Sequence, residues 1–109
     1  MAWVILFLAG LCEVFWAIGL KKFGFTWSWG GLATVIGMLL SFVLLSMAMK
    51  TLPLGTAYGV WTGIGAVGAA AFGMWFMDEP RDVGRVLCII LIVAGIVGLK
   101  VLTPAGAGQ

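Results

Sequence analysis

The sequence has few ionisable residues. Only 9% of its 109 residues are charged and none is histidine, whereas 63% are hydrophobic and the mean hydropathy is +1.21. A water-soluble domain carries roughly a quarter of its residues as charged groups, because these cover its surface. This chain cannot cover itself in that way, so we expect its solvent to be lipid. Its length allows one domain.

The missing histidine also restricts the chemistry. Without it neither a Ser-His-Asp nor a Cys-His pair can form, and a metal site would lack a common ligand. The two cysteines, Cys12 and Cys88, lie in apolar runs, and we interpret them as buried, reduced residues. The six Lys and Arg are scattered and form no basic patch for nucleic acid. We therefore expect no enzyme, metal, cofactor or nucleic-acid partner.

Four apolar runs are long enough to span a bilayer, which needs about 20 residues. They cover roughly residues 2–20, 29–49, 54–77 and 83–102. Gly24 is a helix-end signal after the first run, and Pro53 favours a helix start before the third. Because lipid leaves no backbone group unpaired, the runs must be helices. We predict an all-α membrane domain over 1–102, followed by a disordered tail over 103–109.

The short connections predict antiparallel neighbours in an up-down-up-down bundle, with both termini on one side. The first run has no positive charge before it, so we interpret it as a retained helix rather than a signal peptide. The positive-inside rule compares the positive charges on the two sides of the membrane. The side of the first and third connections carries Lys21, Lys22, Arg81 and Arg85, and the side of the termini carries Lys50, Lys100 and the α-amine. This bias is small. Two interpretations remain equally open: the first and third connections face the inside of the cell, or the chain inserts in both orientations.

The stretch "GLCEVFWAIG" places one carboxylate, Glu13, inside the first run. A charged group at mid-bilayer costs roughly 2.5–3.5 kcal/mol, and such residues usually face a bundle interior or a cavity. No Lys or Arg lies nearby in an apolar run, so Glu13 is either protonated or paired with a cation from outside the chain. It could exchange a proton for a cation. The alternative is a neutral Glu that joins helices by a hydrogen bond.

The neighbours of Glu13 on its helix face are Gly10, Trp16 and Ala17. We expect Gly10 to open space beside the carboxylate, and Trp16 to offer it an indole N–H and a π face. Ser41, in the second run, either bonds its own backbone or reaches Glu13.

The third run carries aromatic residues and glycines. Tyr58 and Trp61 are three residues apart and share a face. Gly59 and Gly63 form a GxxxG motif for close helix approach, and Gly63 with Gly65 predicts a kink or hinge. Four helices enclose little space, so a site lined by Glu13 and these aromatic residues needs walls from a second copy of the chain.

Three stretches, "AGLCEVFWAIGLKK", "KTLPLGTAYGVWTGIGAVG" and "DEP", together resemble the small multidrug resistance family of bacterial transporters. The resemblance covers nearly the whole chain. The pattern E-V-x-W-A and the third-run motif resemble its guanidinium-exporting branch. In the branch that exports quaternary ammonium drugs, the residue matching Trp16 is usually small, typically Gly.

The resemblance implies an antiparallel, dual-topology homodimer in the bacterial inner membrane, which exchanges protons for cations by alternating access. The essential Glu of the family matches Glu13, its site aromatics match Tyr58 and Trp61, and its hinge matches Gly63 and Gly65. Trp16 and Ser41 match residues that hydrogen-bond the Glu. Cys88 departs from the drug exporters, which have Gly there in their helix-four dimer contact.

We therefore expect a proton-coupled exporter of guanidinium and small substituted guanidinium cations, with Gly10, Glu13, Trp16, Ser41, Tyr58 and Trp61 at its site. Its partners are these cations, protons, lipid and a second copy of the chain. The proton gradient drives it without a cofactor. One alternative is a broader exporter of quaternary ammonium cations. Another is a structural membrane subunit that transports nothing.

Overall fold

The computed structural model describes residues 1–103 and consists of four helices. They are α1 (Ala2–Phe23), α2 (Trp29–Ala48), α3 (Leu54–Phe76) and α4 (Val83–Leu102). Each is long and apolar enough to cross a membrane. A helix can do so because its backbone groups are hydrogen-bonded within the helix and need no water. This confirms the prediction of an all-α chain with four spans. Of the tail predicted to be disordered, residues 104–109 lie outside the described part.

The helix ends follow local chemistry. α1 continues past Leu20, where the apolar run was expected to end, because Lys21 and Lys22 in its last turn interact favourably with the helix dipole. Gly24 then ends it with φ +62°, and the Gly24 N–H donates to the Leu20 carbonyl. Ser28 caps the start of α2, and its side chain accepts a hydrogen bond from the Gly31 N–H at 3.0 Å.

Helix α1 lies at the centre of the packing and contacts both α2 and α3, whereas the α4 backbone packs against α3 alone. Small residues allow the close contacts: Ala9, Ala48 and Ala57 are fully buried together with Leu6. No residue of α4 is buried. The described chain is therefore a slab of 42 × 36 × 16 Å.

Glycines on two faces of α3 set its distance from the neighbouring helices. On one face, a Cβ at Gly68 would overlap Val14 of α1; on the other, a Cβ at Gly63 would lie 2.9 Å from Ile96 of α4. Without these side chains the helix axes can approach closely, which is how membrane helices associate. The α3 glycines thus hold α1 on one side and α4 on the other.

The prediction that both cysteines are buried was wrong for Cys88. Cys88 is exposed, whereas Cys12 is partly buried, and both are free thiols. The reason is that the α4 backbone packs closely against only one helix, so most of its surface faces outward. An apolar run in a membrane helix does not distinguish a protein-facing side chain from a lipid-facing one.

We predict that Gly68→Ala destabilises the fold by about 1–3 kcal/mol, because an added methyl overpacks the contact with Val14. Unfolding by denaturing detergent, followed by tryptophan fluorescence, measures the change. Gly55→Ala is the matched control, since no atom lies within 4 Å of a Cβ there. Equal stability of the two variants would contradict the packing role of Gly68.

Candidate functional site

Glu13 lies near the middle of α1, with its carboxyl group against α3. A Cβ at Gly65 would overlap the Glu13 Oε1 atom, so the missing side chain of Gly65 provides the space that the carboxyl group occupies. Oε1 is buried and has no hydrogen-bond partner in the described chain. Across residues 1–103 the only ion pair joins Arg85 to Asp82. Glu13 therefore has no cationic partner from its own chain.

The hydroxyl of Ser41 joins three helices. Ser41 Oγ donates to the Ala9 carbonyl of α1 at 2.8 Å and accepts from Trp61 Nε1 of α3 at 2.9 Å. Both residues are buried: Ser41 is completely inaccessible and Trp61 is 7% exposed. Hydrogen bonds between buried groups fix orientation, because breaking one leaves a polar group unpaired. The indole of Trp61 is therefore held in one position.

Trp61 is also one of four aromatic side chains that contact one another in sequence, and we call them the aromatic row: Trp16, Phe42, Trp61 and Tyr58. Tyr58 stacks on Trp61 with ring centroids 5.6 Å apart. Phe42 meets Trp61 edge to face at 5.8 Å, and it meets Trp16 in the same way at 6.3 Å. All three centroid separations are typical of favourable aromatic pairs. The row links the helix of Glu13 to α2 and α3.

The expected hydrogen bonds to Glu13 are not formed in this structure. The single Ser41 proton goes to the Ala9 carbonyl, so Ser41 has none to donate to the carboxyl group. Trp16 Nε1 is buried and without a partner in the described residues, as is Glu13 Oε1. The indole N–H that was expected to hold the carboxyl group is thus an unused donor.

The glycines near the site also have contacts that the sequence did not indicate. A Cβ at Gly10 would lie 2.5 Å from Ile64 Cγ2, so Gly10 makes room for a side chain of α3. Gly65 instead makes room for Glu13. α3 is continuous from Leu54 to Phe76, and no break marks Gly63 or Gly65, the residues expected to form a hinge. In this conformation both glycines serve close packing.

Sequence reasoning did not identify two members of this arrangement. Phe42 bridges the two tryptophans of the aromatic row, and the Ala9 carbonyl anchors Ser41. An ordinary Phe in an apolar helix gives no signal, and a backbone carbonyl gives none in any sequence. The only indication in the sequence was that Ser41 and Trp61, which can hydrogen-bond each other, occur in consecutive apolar runs.

The side chains of this region are of the kinds that can bind an organic cation. The region has one carboxyl group, an unused indole donor and aromatic faces, of which Tyr58 is about half exposed. No group of three or more metal-ligating side chains occurs in residues 1–103. A carboxylate with π faces nearby can bind an organic cation by charge and by cation–π attraction. The same carboxyl group can hold a proton instead.

We predict that Ser41→Ala destabilises the chain by about 1–3 kcal/mol, because it leaves the buried Trp61 N–H without an acceptor. Ser46→Ala is the control, since Ser46 bonds only the Val43 carbonyl of its own helix at an exposed position. Detergent unfolding compares the two variants. If Ser41→Ala is as stable as Ser46→Ala, the three-helix junction contributes nothing.

Known proteins resemble this chain over nearly its whole length. The family model described as Small Multidrug Resistance protein matches residues 1–92. Proteins named guanidinium exporter from Citrobacter freundii and Salmonella typhimurium are 54% identical over 104 residues, which is 94% of this chain and 99% of theirs. One from Proteus vulgaris is 52% identical over 92% of this chain and 97% of its own. The chain therefore belongs to the small multidrug resistance family, as its sequence predicted.

Proposed function

We propose that this protein exports guanidinium and small substituted guanidinium cations across the bacterial inner membrane, in exchange for protons. The observation that carries the proposal is the unpaired carboxyl group of Glu13 inside a membrane helix. The relatives named guanidinium exporter, at 54% identity over nearly their full length, support this choice of substrate.

Guanidinium suits such a site for geometric reasons. It is a planar cation whose N–H groups point outward in one plane, and carboxylates bind this fork in a directional way. The stacked Tyr58 and Trp61 offer flat π faces on which a planar cation can lie. The unused donor of Trp16 can orient the carboxylate, so that its lone pairs face the cation. We propose that Gly10, Ser41 and Gly65 keep these groups in position through packing and hydrogen bonds.

Coupling follows from competition between proton and cation for the Glu13 carboxyl groups, one from each copy of the chain. An ionised Glu13 with no cation in its own chain is costly in lipid, so it is stabilised by either a proton or a substrate cation. A site that must hold one of the two, and cannot hold both, exchanges them as it alternates between the two sides of the membrane. No cofactor enters this cycle, and the proton gradient drives it.

A second copy of the chain would complete the site. Tyr58 and Phe42 are 49% and 44% exposed, so the aromatic row has an open side. On α4, a Cβ at Gly95 or Gly98 would meet nothing within 4 Å, which leaves a smooth surface for another helix. We propose an antiparallel homodimer of the 1–102 domain, with two Glu13 facing one cavity. The small charge bias between loops is compatible with insertion in both orientations.

Alternating access requires a helix that can bend. We propose that Gly63 and Gly65 allow α3 to change shape, since glycine weakens a helix locally and bends are common there. Because Gly65 lies against the Glu13 carboxyl group and Gly63 against Ile96, a bend between them would move both contacts at once.

Helix bonding by Glu13 has less support than transport. A Glu that joins helices by a hydrogen bond needs a partner on another helix, and Oε1 has none among residues 1–103. The buried hydrogen bonds between helices run instead through Ser41.

We predict that Glu13→Gln abolishes proton-coupled guanidinium transport in proteoliposomes, because an amide can release no proton and carries no charge for the cation. Glu79→Gln is the control and should transport at the wild-type rate, since Glu79 lies in the α3–α4 connection. Addition of guanidinium to the detergent-solubilised protein in weak buffer should also release protons from wild type and from Glu79→Gln. Transport by Glu13→Gln at the wild-type rate would refute the proposal.

We predict that Trp16→Gly broadens the range of transported cations toward large quaternary ammonium ions. The change removes one end of the aromatic row and the unused indole donor beside Glu13. Electrical recording on supported membranes, with guanidinium and tetrapropylammonium as test cations, measures the ratio of the two currents. Trp27→Gly, a change at a fully exposed loop residue, should keep the wild-type ratio. A wild-type protein that transports tetrapropylammonium in preference to guanidinium would favour the broader exporter.

A further inference from the structure

A cavity lies away from Glu13, at the end of the molecule where α1 begins and α4 ends. We call it the Lys100 groove. It has a volume of about 500 Å³ and runs between Trp3 and Phe7 of α1, Ile64 of α3, and Val97 and Lys100 of α4. Every lining side chain except that of Lys100 is hydrophobic, so the groove is an apolar slot with one charge.

The charge is held at one end of the groove. Lys100 Nζ lies 4.6 Å from the ring centroid of Trp3, which is a cation–π contact between α4 and α1. Both residues lie close to helix ends, at the depth where Trp and Lys mark the membrane interface. The long lysine side chain can place its ammonium among lipid headgroups while its stem stays in apolar surroundings.

The ammonium of Lys100 has no anionic partner among residues 1–103. The only acidic residues besides Glu13 are Asp78, Glu79 and Asp82, which lie in the α3–α4 connection. Since α4 separates that connection from Lys100, these carboxylates lie at the opposite end of the molecule. The only ion pair in residues 1–103 is between Arg85 and Asp82. The groove thus combines an apolar channel with a positive charge, at the headgroup level, that no side chain of residues 1–103 neutralises.

We infer that the Lys100 groove binds one anionic phospholipid, with the phosphate at Lys100 and an acyl chain between α1, α3 and α4. The volume lies in the range of ligand pockets, about 300–1,000 Å³. A lysine at the membrane surface attracts anionic headgroups, and the slot beneath it matches the hydrocarbon that such a headgroup carries. The larger cavity between α1 and α2, of about 620 Å³, has no charged lining residue and so offers no basis for selecting a headgroup.

This lipid site is distinct from the proposed transport site and from the proposed dimer surface, although two of its lining residues, Ile64 and Ile96, pack against Gly10 and Gly63. None of the transport-site residues, Glu13 included, lines the groove. Gly95, on the smooth surface of α4, is two positions from Val97, so the two residues point to nearly opposite sides of the helix. A partner helix on the glycine surface would leave the groove open to lipid.

The test uses the full chain in detergent, titrated with phosphatidylglycerol or phosphatidylcholine of identical acyl chains and observed by native mass spectrometry. Wild type is expected to bind the first phosphatidylglycerol about five-fold more tightly than phosphatidylcholine, which corresponds to about 1 kcal/mol for one lysine. Lys100→Gln should lose this preference. Lys50→Gln is the matched control and should keep it, because Lys50 lies on the same side of the membrane and lines no such groove.

Two further measurements separate the headgroup from the acyl chain. Val97→Trp fills the groove without changing a charge, and should abolish the tight first phosphatidylglycerol; Val97 is 56% exposed, so the fold tolerates the change. Glycerol 3-phosphate, a headgroup without acyl chains, should not compete. The inference fails if Lys100→Gln keeps the preference, if Lys50→Gln loses it equally, if Val97→Trp binds as wild type, or if glycerol 3-phosphate displaces the lipid.

Discussion

One carboxyl group in lipid, with no cation from its own chain, is the constraint on which the proposed site depends. Placing it there costs several kcal/mol if it is ionised. The chain reduces this cost neither by an ion pair nor by a hydrogen bond to Oε1. It provides space instead, through the missing side chain of Gly65. In the proposed function the stabilising partner comes from outside the chain, either as a proton or as the cation for which the proton is exchanged.

The groups around Glu13 differ in how firmly they are held. Trp61 is fixed by its hydrogen bond to Ser41, which is itself anchored on α1 through the Ala9 carbonyl. Trp16 is placed by packing against Phe42, while its indole N–H stays unused. In the proposed site the aromatic wall is therefore the fixed part, whereas the Glu13 carboxyl group and the Trp16 N–H are free to take a new partner. We propose that this division lets the site accept both a proton and a cation.

The helices also differ in how firmly they are held by their neighbours. α1 lies between α2 and α3, whereas the α4 backbone packs against α3 alone and α4 buries no residue. The glycines of α3 permit both contacts, because they bring α1 close on one face and α4 close on the other. The weakly held fourth helix leaves two surfaces available. One is the smooth face around Gly95, proposed to meet a second copy, and the other is the groove at Lys100, proposed to hold a lipid.

The sequence by itself determined the four spans, because lipid permits only helices and the apolar runs were long enough to cross it. It also determined that Glu13 has no cationic neighbour, since no apolar run contains a Lys or Arg beside it. Only the tertiary structure decided which atoms meet. Ser41 bonds Ala9 and Trp61 rather than Glu13, Gly65 rather than Gly10 faces the carboxyl group, and Cys88 is exposed. The physical reason is that hydropathy is nearly uniform around these helices, so the direction of each side chain depends on which helices pack and how closely their glycines allow them to approach.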